Sequence, residues 1–560
     1  MVKRIISVLS GKTNGIHSAA YLLGFFALVS QLIGLLRDRL LAGTFGAGRE
    51  LDLYYASFRL PDFLFILVAS AVSASVLIPF LSGSMERDKE SARKFADSVV
   101  SVLSLVLVLS GGASFFLAPY FLEKFFPLLY GSDAETLIAM TRIMLLQPVF
   151  LGLSNLLGSI AQSSGRFTAY AVAPVFYNLG IVVGIMFLFP YFGLNGLALG
   201  VVLGALLHLL AQMPAVFATG VFPRLTLAVD FKAVSALFRL SLPRSLALSA
   251  GSLSFLALTA IASRIGEGSV AVFNLSWNMQ SVPLAIIGAS YSMAAFPTLS
   301  ALFSSGNREK FLYYLDTALR HTVFWSMPII VLFIVLRAQI VRTVFGFGNF
   351  DWSDTRLTAA LLAVFAVSVL AQGIVVVVSR AYYAAGMTKL PFIVNTFFSV
   401  ATIAGASVAF EMYRLSPNSL AWLQKILRVD GLDGSTVLVL PVVFSAIFII
   451  NAIVMLIFFA RRFGWPVGGF LKVLSVSAGC SLIAGFCAYA GLNFMSNLVN
   501  LNTVVGIFTQ GLTAGILGIF AYIVSMRLMG SRELADVASV AVRKIKNASI
   551  VEDDTESQKI

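Results

Sequence analysis

Cysteine, histidine and charge are all scarce in this 560-residue chain, and each scarcity closes off a class of protein. There are two cysteines, Cys480 and Cys487, and three histidines, His17, His208 and His321. Both cysteines fall in one predicted helix, where seven residues of rise hold them about 10 Å apart, beyond disulfide reach. They read as small apolar packing residues. The histidines are scattered, with no metal-ligand spacing. Charged residues make up 12% of the chain, and no polar stretch is long enough to form a separate soluble domain. No Walker loop is present, which argues against direct use of ATP. No nucleophile–His–acid set occurs, nor a carboxylate cluster fit for a catalytic metal, so an enzyme is not expected and no cofactor is implied. The opening MVKRIISVLSG is charged at its start, but its apolar run is short and no small-residue cleavage site follows. It reads as a short amphipathic helix on a membrane surface rather than a cleaved leader.

What the chain has in abundance is apolar sequence, 59% of its residues. Runs of spanning length recur about fourteen times. Their cores lie near 19–45, 56–82, 96–118, 136–160, 168–190, 193–218, 238–262, 270–302, 312–336, 356–385, 390–412, 436–460, 468–493 and 503–528. The expected fold class is therefore all-α, a polytopic membrane protein. The formal charge of +13 then reflects loops facing the cytoplasm and anionic lipid, not nucleic acid. Lys and Arg cluster after every second span: Arg87, Lys89, Arg93 and Lys94; Arg166; Arg224 and Lys232; Arg308 and Lys310; Lys389; Arg461 and Arg462; then Arg532, Arg543, Lys544 and Lys546. By the positive-inside rule both termini are cytoplasmic. In the tail, Leu534, Val537 and Ile545 would line one face of a short basic helix on the inner leaflet, ahead of a disordered VEDDTESQKI end.

The chain also repeats itself. LIPFLSGSMERDKESARKF at 77–95 resembles AAFPTLSALFSSGNREKF at 294–311, FGAGRELDLYYASF at 45–58 resembles IGEGSVAVFNLSW at 265–277, and AQSSGRFTAYAVAPVFYN at 161–178 resembles YYAAGMTKLPFIVN at 382–395. The common offset of about 220 residues fits a six-helix unit repeated in parallel. The expected organisation is a cytoplasmic segment 1–18, an N-lobe 19–218, a C-lobe 219–461, two added helices in 462–530 and a cytoplasmic tail 531–560.

The functional candidates are charges inside apolar runs. Arg37, Asp38 and Arg39 lie in the outer part of the first span, where a charge costs about 2.5–3.5 kcal/mol at the membrane centre and persists by facing a partner or a wet cavity. Successive helical residues point about 100° apart, so the three cannot share one face. Arg39 is expected to snorkel outward. Arg59, beside Pro61, stands at a bent helix start, where a ligand contact and an interfacial anchor are both open readings. Arg380 and Tyr382 lie late in the tenth span, and a structural contact competes with a ligand role for Arg380. Asn178 and Asn395 hold matching repeat positions and read as helix bridges. Gly and Ala runs such as 196–205 allow close helix packing.

The stretch Ser30-Gln31, Gly34, Arg37-Asp38, Phe45-Gly46, Asp52 and Phe58-Arg59-Leu60-Pro61 resembles the opening of the MurJ/MviN family, the lipid II flippases of bacterial peptidoglycan synthesis. SRAYYAAGMTKLP at 379–391 and Phe296-Pro297-x-Leu299-Ser300 are similar to later family elements, and the likeness extends over roughly residues 15–530. It implies the multidrug/oligosaccharidyl-lipid/polysaccharide exporter fold: two six-helix lobes, with the last two helices forming a groove for the lipid tail. It implies a bacterial inner-membrane protein that moves lipid II by alternating access, with lipid II or a related polyprenyl-pyrophosphate lipid, anionic membrane lipids and cell-wall synthesis proteins as partners. It further implies Arg37, Asp38, Arg59, Asn278 and Arg380 as substrate-binding positions; from helix geometry Arg37 is expected to face the cavity, with Asp38 orienting it or pairing across the lobes. An arginine suits pyrophosphate because its planar fork donates two hydrogen bonds to adjacent oxygens. The chain departs from the family pattern at Gln31, at Phe65-Ile66, at Ala69-Ser70-Ala71 and at Asn278 before Pro283, several of them positions where the family carries arginine. Two alternatives therefore stand beside the first reading: a flippase or exporter of another polyprenyl-linked glycan or amphiphile, and a non-transporting membrane scaffold for cell-wall synthesis.

Overall fold

In the computed structural model, residues 11, 16–69, 77–78, 81 and 88–539 are described, and every regular element among them is a helix. The amphipathic start at 1–11, Arg87 and much of the repeat segment at 77–95, and the tail from 540 lie, wholly or in greater part, outside the described residues.

In chain order the helices are α1 (Ile16–Phe45), α2 (Arg49–Ser57), α3 (Arg59–Leu64), α4 (Lys89–Phe125), α5 (Pro127–Met144), α6 (Leu146–Ser163), α7 (Phe167–Val183), α8 (Leu194–Phe217), α9 (Phe231–Ala262), α10 (Ser269–Leu284), α11 (Ser290–Ser304), α12 (Arg308–Val335), α13 (Arg337–Phe345), α14 (Trp352–Ala384), α15 (Lys389–Leu415), α16 (Ala421–Leu427), α17 (Val439–Phe463), α18 (Val467–Ser496) and α19 (Val504–Leu528). Among the described residues, twelve helical stretches are long and apolar enough to cross a membrane. Each coincides with one of the fourteen or so expected runs. The other two runs behave differently. The one at 56–82 begins as α3 and a π-helical turn at Phe65–Ala69, and residues 70–76 then lie outside the described residues. The one at 238–262 lies within α9, and Gly251–Ala262 is the shorter apolar helix found in it among the described residues.

Helix starts follow local chemistry. The side chains of Asp88, Asp230, Asn307 and Thr503 each accept a backbone N–H of the first turn that follows, the usual way an exposed helix end satisfies its free donors.

The helices divide into two compact units. The first comprises Met1–Leu275, Val344–Leu357 and Asn395–Leu440. In it α1 packs on α7, α7 on α8, and α8 on α5 and α6. The α7–α8 contact is backbone against backbone: a Cβ on Gly180 would strike Gly204, and one on Gly184 would strike Gly200. That is the close packing the small-residue run at 196–205 foretells. The apolar centre of this unit gathers Leu103, Leu107, Leu156, Ile160, Leu209 and Val216.

The second unit comprises Ser276–Thr343, Thr358–Val394 and Pro441–Ile560. Here α18 packs on both α12 and α19. Phe324, Cys480, Ala484, Tyr522 and Met526 form a shared core, and Leu534 and Val537 pack onto it. The tail helix over 532–539 thus turns its apolar side to protein, where the sequence suggested a lipid surface. Both cysteines are free.

Candidate functional site

The charged stretch of α1 is a built feature of the first unit. Arg37 folds back on its neighbour: its Nε and Nη2 donate to Asp38 Oδ1 at 2.9 and 2.7 Å. Its remaining edge donates from Nη1 to Asn178 Oδ1 at 3.0 Å. Asn178, on α7, completes its own valence by donating to Ser30 Oγ at 3.3 Å and to the Pro174 carbonyl at 3.2 Å. The predicted bridging asparagine is therefore a bridge between α1 and α7, and it also holds the guanidinium. Asp38 is only 2% exposed, and the pair is neutral as a whole.

Arg59 opens α3 and is buried. It donates from Nη2 to Asn274 Oδ1, and its guanidinium lies over the Phe255 ring at 4.4 Å. Asn274 is aimed by its own Nδ2, which donates to the Val270 carbonyl at 2.8 Å. Among the described residues no carboxylate hydrogen-bonds to Arg59, and its buried Nε has no partner. Asp62, one turn on, lies within electrostatic reach but faces the Gln147 amide at 3.5 Å. Tyr55 is within reach of both Arg37 and Arg59, and Tyr54 and Tyr177 are within reach of Arg37.

Arg39 differs from expectation. It donates from Nη1 to the Val344 carbonyl at 2.9 Å and sits over the Phe347 ring at 4.8 Å. The end of α13 offers an acceptor and the loop after it an aromatic face, so the side chain is held on protein rather than extended toward water. The same region grips the end of α1 and the residues after it, through Asn349 N to the Gly43 carbonyl at 2.8 Å and Ala47 N to Asp354 Oδ2, in the first turn of α14, at 3.0 Å. Asp52, a motif residue with no role assigned from sequence, accepts the backbone N–H groups of Gly268 and Ala271, both at 2.7 Å, and so caps the start of α10.

Of the five sequence candidates, Arg37, Asp38 and Arg59 belong to the first unit, all within electrostatic reach of Tyr55. Asn278 and Arg380 belong to the second. Asn278 is half-buried on α10, and its carbonyl accepts the Ser281 hydroxyl at 2.7 Å. Arg380 lies 5.5 Å from the Phe296 ring centroid, a contact between two sequence motifs. Sequence reasoning missed Asn274, Tyr55, Asp62 and Gln147. A signal for Asn274 was present: it precedes Asn278 by one turn, placing two amides on one face of an otherwise apolar helix.

No group of three or more His, Cys, Asp or Glu side chains placed to hold a metal occurs among the described residues. What the first-unit cluster offers is a buried cation with neutral partners. Such a guanidinium, held by an amide and a ring face, keeps its charge and one donor edge for an anion.

Residues 41–509 match the family model described as lipid II flippase MurJ. The lipid II flippase MurJ of Burkholderia cenocepacia is 27% identical over 383 residues, covering 65% of this chain and 73% of that protein. The probable lipid II flippase MurJ of Thermotoga maritima is 28% identical over 388 residues, covering 69% of this chain and 77% of the relative. Among solved structures, a lipid II flippase MurJ in an inward closed conformation superposes with a TM-score of 0.70 at 22% identity, covering 91% of this chain and 98% of that one. An inward-facing multidrug transporter of the MATE family, in the MOP superfamily, superposes with a TM-score of 0.60 at 18% identity, over 78% of this chain and 94% of its own. At these identities the structures establish the fold.

Proposed function

Because the chain belongs to the lipid II flippase MurJ family, we propose that it moves lipid II from the inner to the outer leaflet of the bacterial inner membrane by alternating access. Lipid II carries a disaccharide-peptide head on a pyrophosphate, and that head cannot cross hydrocarbon unaided, since each bare polar group costs several kcal/mol there. The observation that carries the reading is Arg59: buried, charged, and hydrogen-bonded to a neutral amide instead of an acid. It is the cation that the pyrophosphate meets, with the Arg37–Asp38 pair beside it supplying shape and a fixed dipole. Asn278 and Arg380 serve as further head-group contacts.

In this reading 19–218 and 219–461 act as two lobes, 462–530 carries the polyprenyl tail, both termini face the cytoplasm, and anionic lipids meet the basic loops. The protein binds and releases its lipid without making or breaking a bond. Energy comes from the membrane potential or an ion gradient, which acts on each charge at about 2.3 kcal/mol per 100 mV. Cell-wall synthesis proteins are its natural neighbours.

Neutral residues at Gln31 and Asn278 favour a second reading, in which the lipid bears a different glycan on the same pyrophosphate. The test is complementation of a flippase-depleted bacterium, paired with an assay of lipid II accessibility on the outer leaflet. Rescue with restored accessibility supports lipid II. Stable expression without rescue removes lipid II as the cargo.

A further inference from the structure

The Tyr55 hydroxyl is buried and has no hydrogen-bond partner among the described residues, in a side chain that is 7% exposed. A ring buried for its area alone is served equally well by phenylalanine. The hydroxyl adds a donor, and a buried donor left empty costs more than a hydrogen bond gains. That leaves it open to a group from outside the described side chains.

Its position says what. Tyr55 precedes Arg59 by four residues, and the junction between α2 and α3 at Phe58 keeps helical angles (φ −70°, ψ −23°). The two side chains therefore stand one above the other on the same face. Arg59 contributes a second empty donor there, its buried Nε. Tyr55 also lies within electrostatic reach of both Arg37 and Arg59. Two unmet donors on one helix face, beside a guanidinium with no acid on it, describe a seat for a group rich in acceptors and negative charge.

We propose that Tyr55 is a further substrate-binding residue, whose O–H and the Nε–H of Arg59 together hold the non-bridging oxygens of the pyrophosphate on a polyprenyl lipid. The inference rests on the reading of the site given above and adds to it a specific donor. Phosphate oxygens accept and never donate, so the pair suits them and discriminates against a bare polyprenyl alcohol.

The experiment uses the full chain in detergent, with a sugar-free polyprenyl pyrophosphate and the matching polyprenyl alcohol as probes, read by native mass spectrometry and by thermal unfolding. Tyr55→Phe is expected to weaken pyrophosphate binding about tenfold, to leave alcohol binding unchanged, and to leave the melting temperature equal or higher. Unchanged pyrophosphate affinity in Tyr55→Phe, with Arg59→Ala still losing it, overturns this inference and leaves the site standing. An equal fall for both probes with a lower melting temperature also overturns it, since that is the pattern of a packing role. Pyrophosphate binding untouched in Arg59→Ala overturns the site reading and this inference with it.

Discussion

Arg59 gives a guanidinium hydrogen bond to the amide oxygen of Asn274, and Asn274 is fixed in that pose by its own bond to the Val270 carbonyl. An amide takes the hydrogen bond without taking the charge. Placing an acid at the same spot reverses the balance. Asn274→Asp is expected to raise the melting temperature, by supplying a counter-ion to a buried cation, and to weaken binding of a pyrophosphate lipid at least about tenfold. Thermal unfolding and lipid titration on the same preparation check both halves.

Arg37 and Asp38 answer to a different logic, because each already has the other. Removing one strands its partner: Arg37→Ala leaves a carboxylate that is 2% exposed without its cation, at a cost of about 3 kcal/mol. The double variant Arg37→Ala/Asp38→Ala is expected to recover most of that stability while remaining deficient in transport. Denaturant or thermal unfolding of the two variants, set beside complementation at matched protein levels, separates folding from function.

The α7–α8 contact makes a sharp packing test. At Gly204 a side chain meets the Tyr177 backbone, so Gly204→Val is expected to destabilise by about 1–3 kcal/mol. Gly479 in α18 has nothing within 4 Å of its would-be Cβ. Gly479→Ala is expected to be neutral or slightly stabilising, as alanine favours a helix interior by up to about 1 kcal/mol. Melting temperatures of the two variants decide it.

The tail helix carries its own acid-sensitive tie. Glu533 Oε1 accepts from Arg320 Nε at 2.7 Å, and Ser531 donates to its other oxygen at 2.7 Å. Burial pushes the Glu533 carboxyl up, but the bonds from Ser531, the backbone and Arg320, with the Arg320 charge, outweigh it and hold the group below its usual range. A depressed folded pKa means the stabilisation is complete above the unfolded value, near pH 4.3 on the reference scale, and is lost as pH falls through the folded one. Hydrogen-exchange protection factors over 532–539, corrected for the intrinsic pH dependence of exchange, are expected to be high at neutral pH and to fall as Glu533 is protonated. Glu533→Gln is expected to show the low protection at all pH values.

Much of the fold was legible because membrane helices announce themselves by length and apolarity, and twelve of the runs read from sequence are helices. In the site, Arg37, Asp38 and Arg59 stood out because a charge in an apolar run must have a reason. Their pairings did not: Asn178 read as a helix bridge without its cation, and Asn274 was not singled out. Asn274 and Asn178 are contributed from 215 and 141 residues away, and an amide in a helix gives no sign of which cation it will meet. Arg39 was misjudged for the same reason: its acceptor at Val344 is a backbone carbonyl 305 residues distant, which no side-chain pattern encodes.

The cap on α10 makes biogenesis depend on order. The amides of Gly268 and Ala271 at its start are satisfied by Asp52, more than two hundred residues upstream. A ribosome delivers Asp52 first, so the acceptor is waiting when the helix emerges. A fragment that starts after it would bring bare amide groups toward the bilayer with nothing to receive them, and co-expressing the missing N-terminal piece would be the way to make such a fragment accumulate.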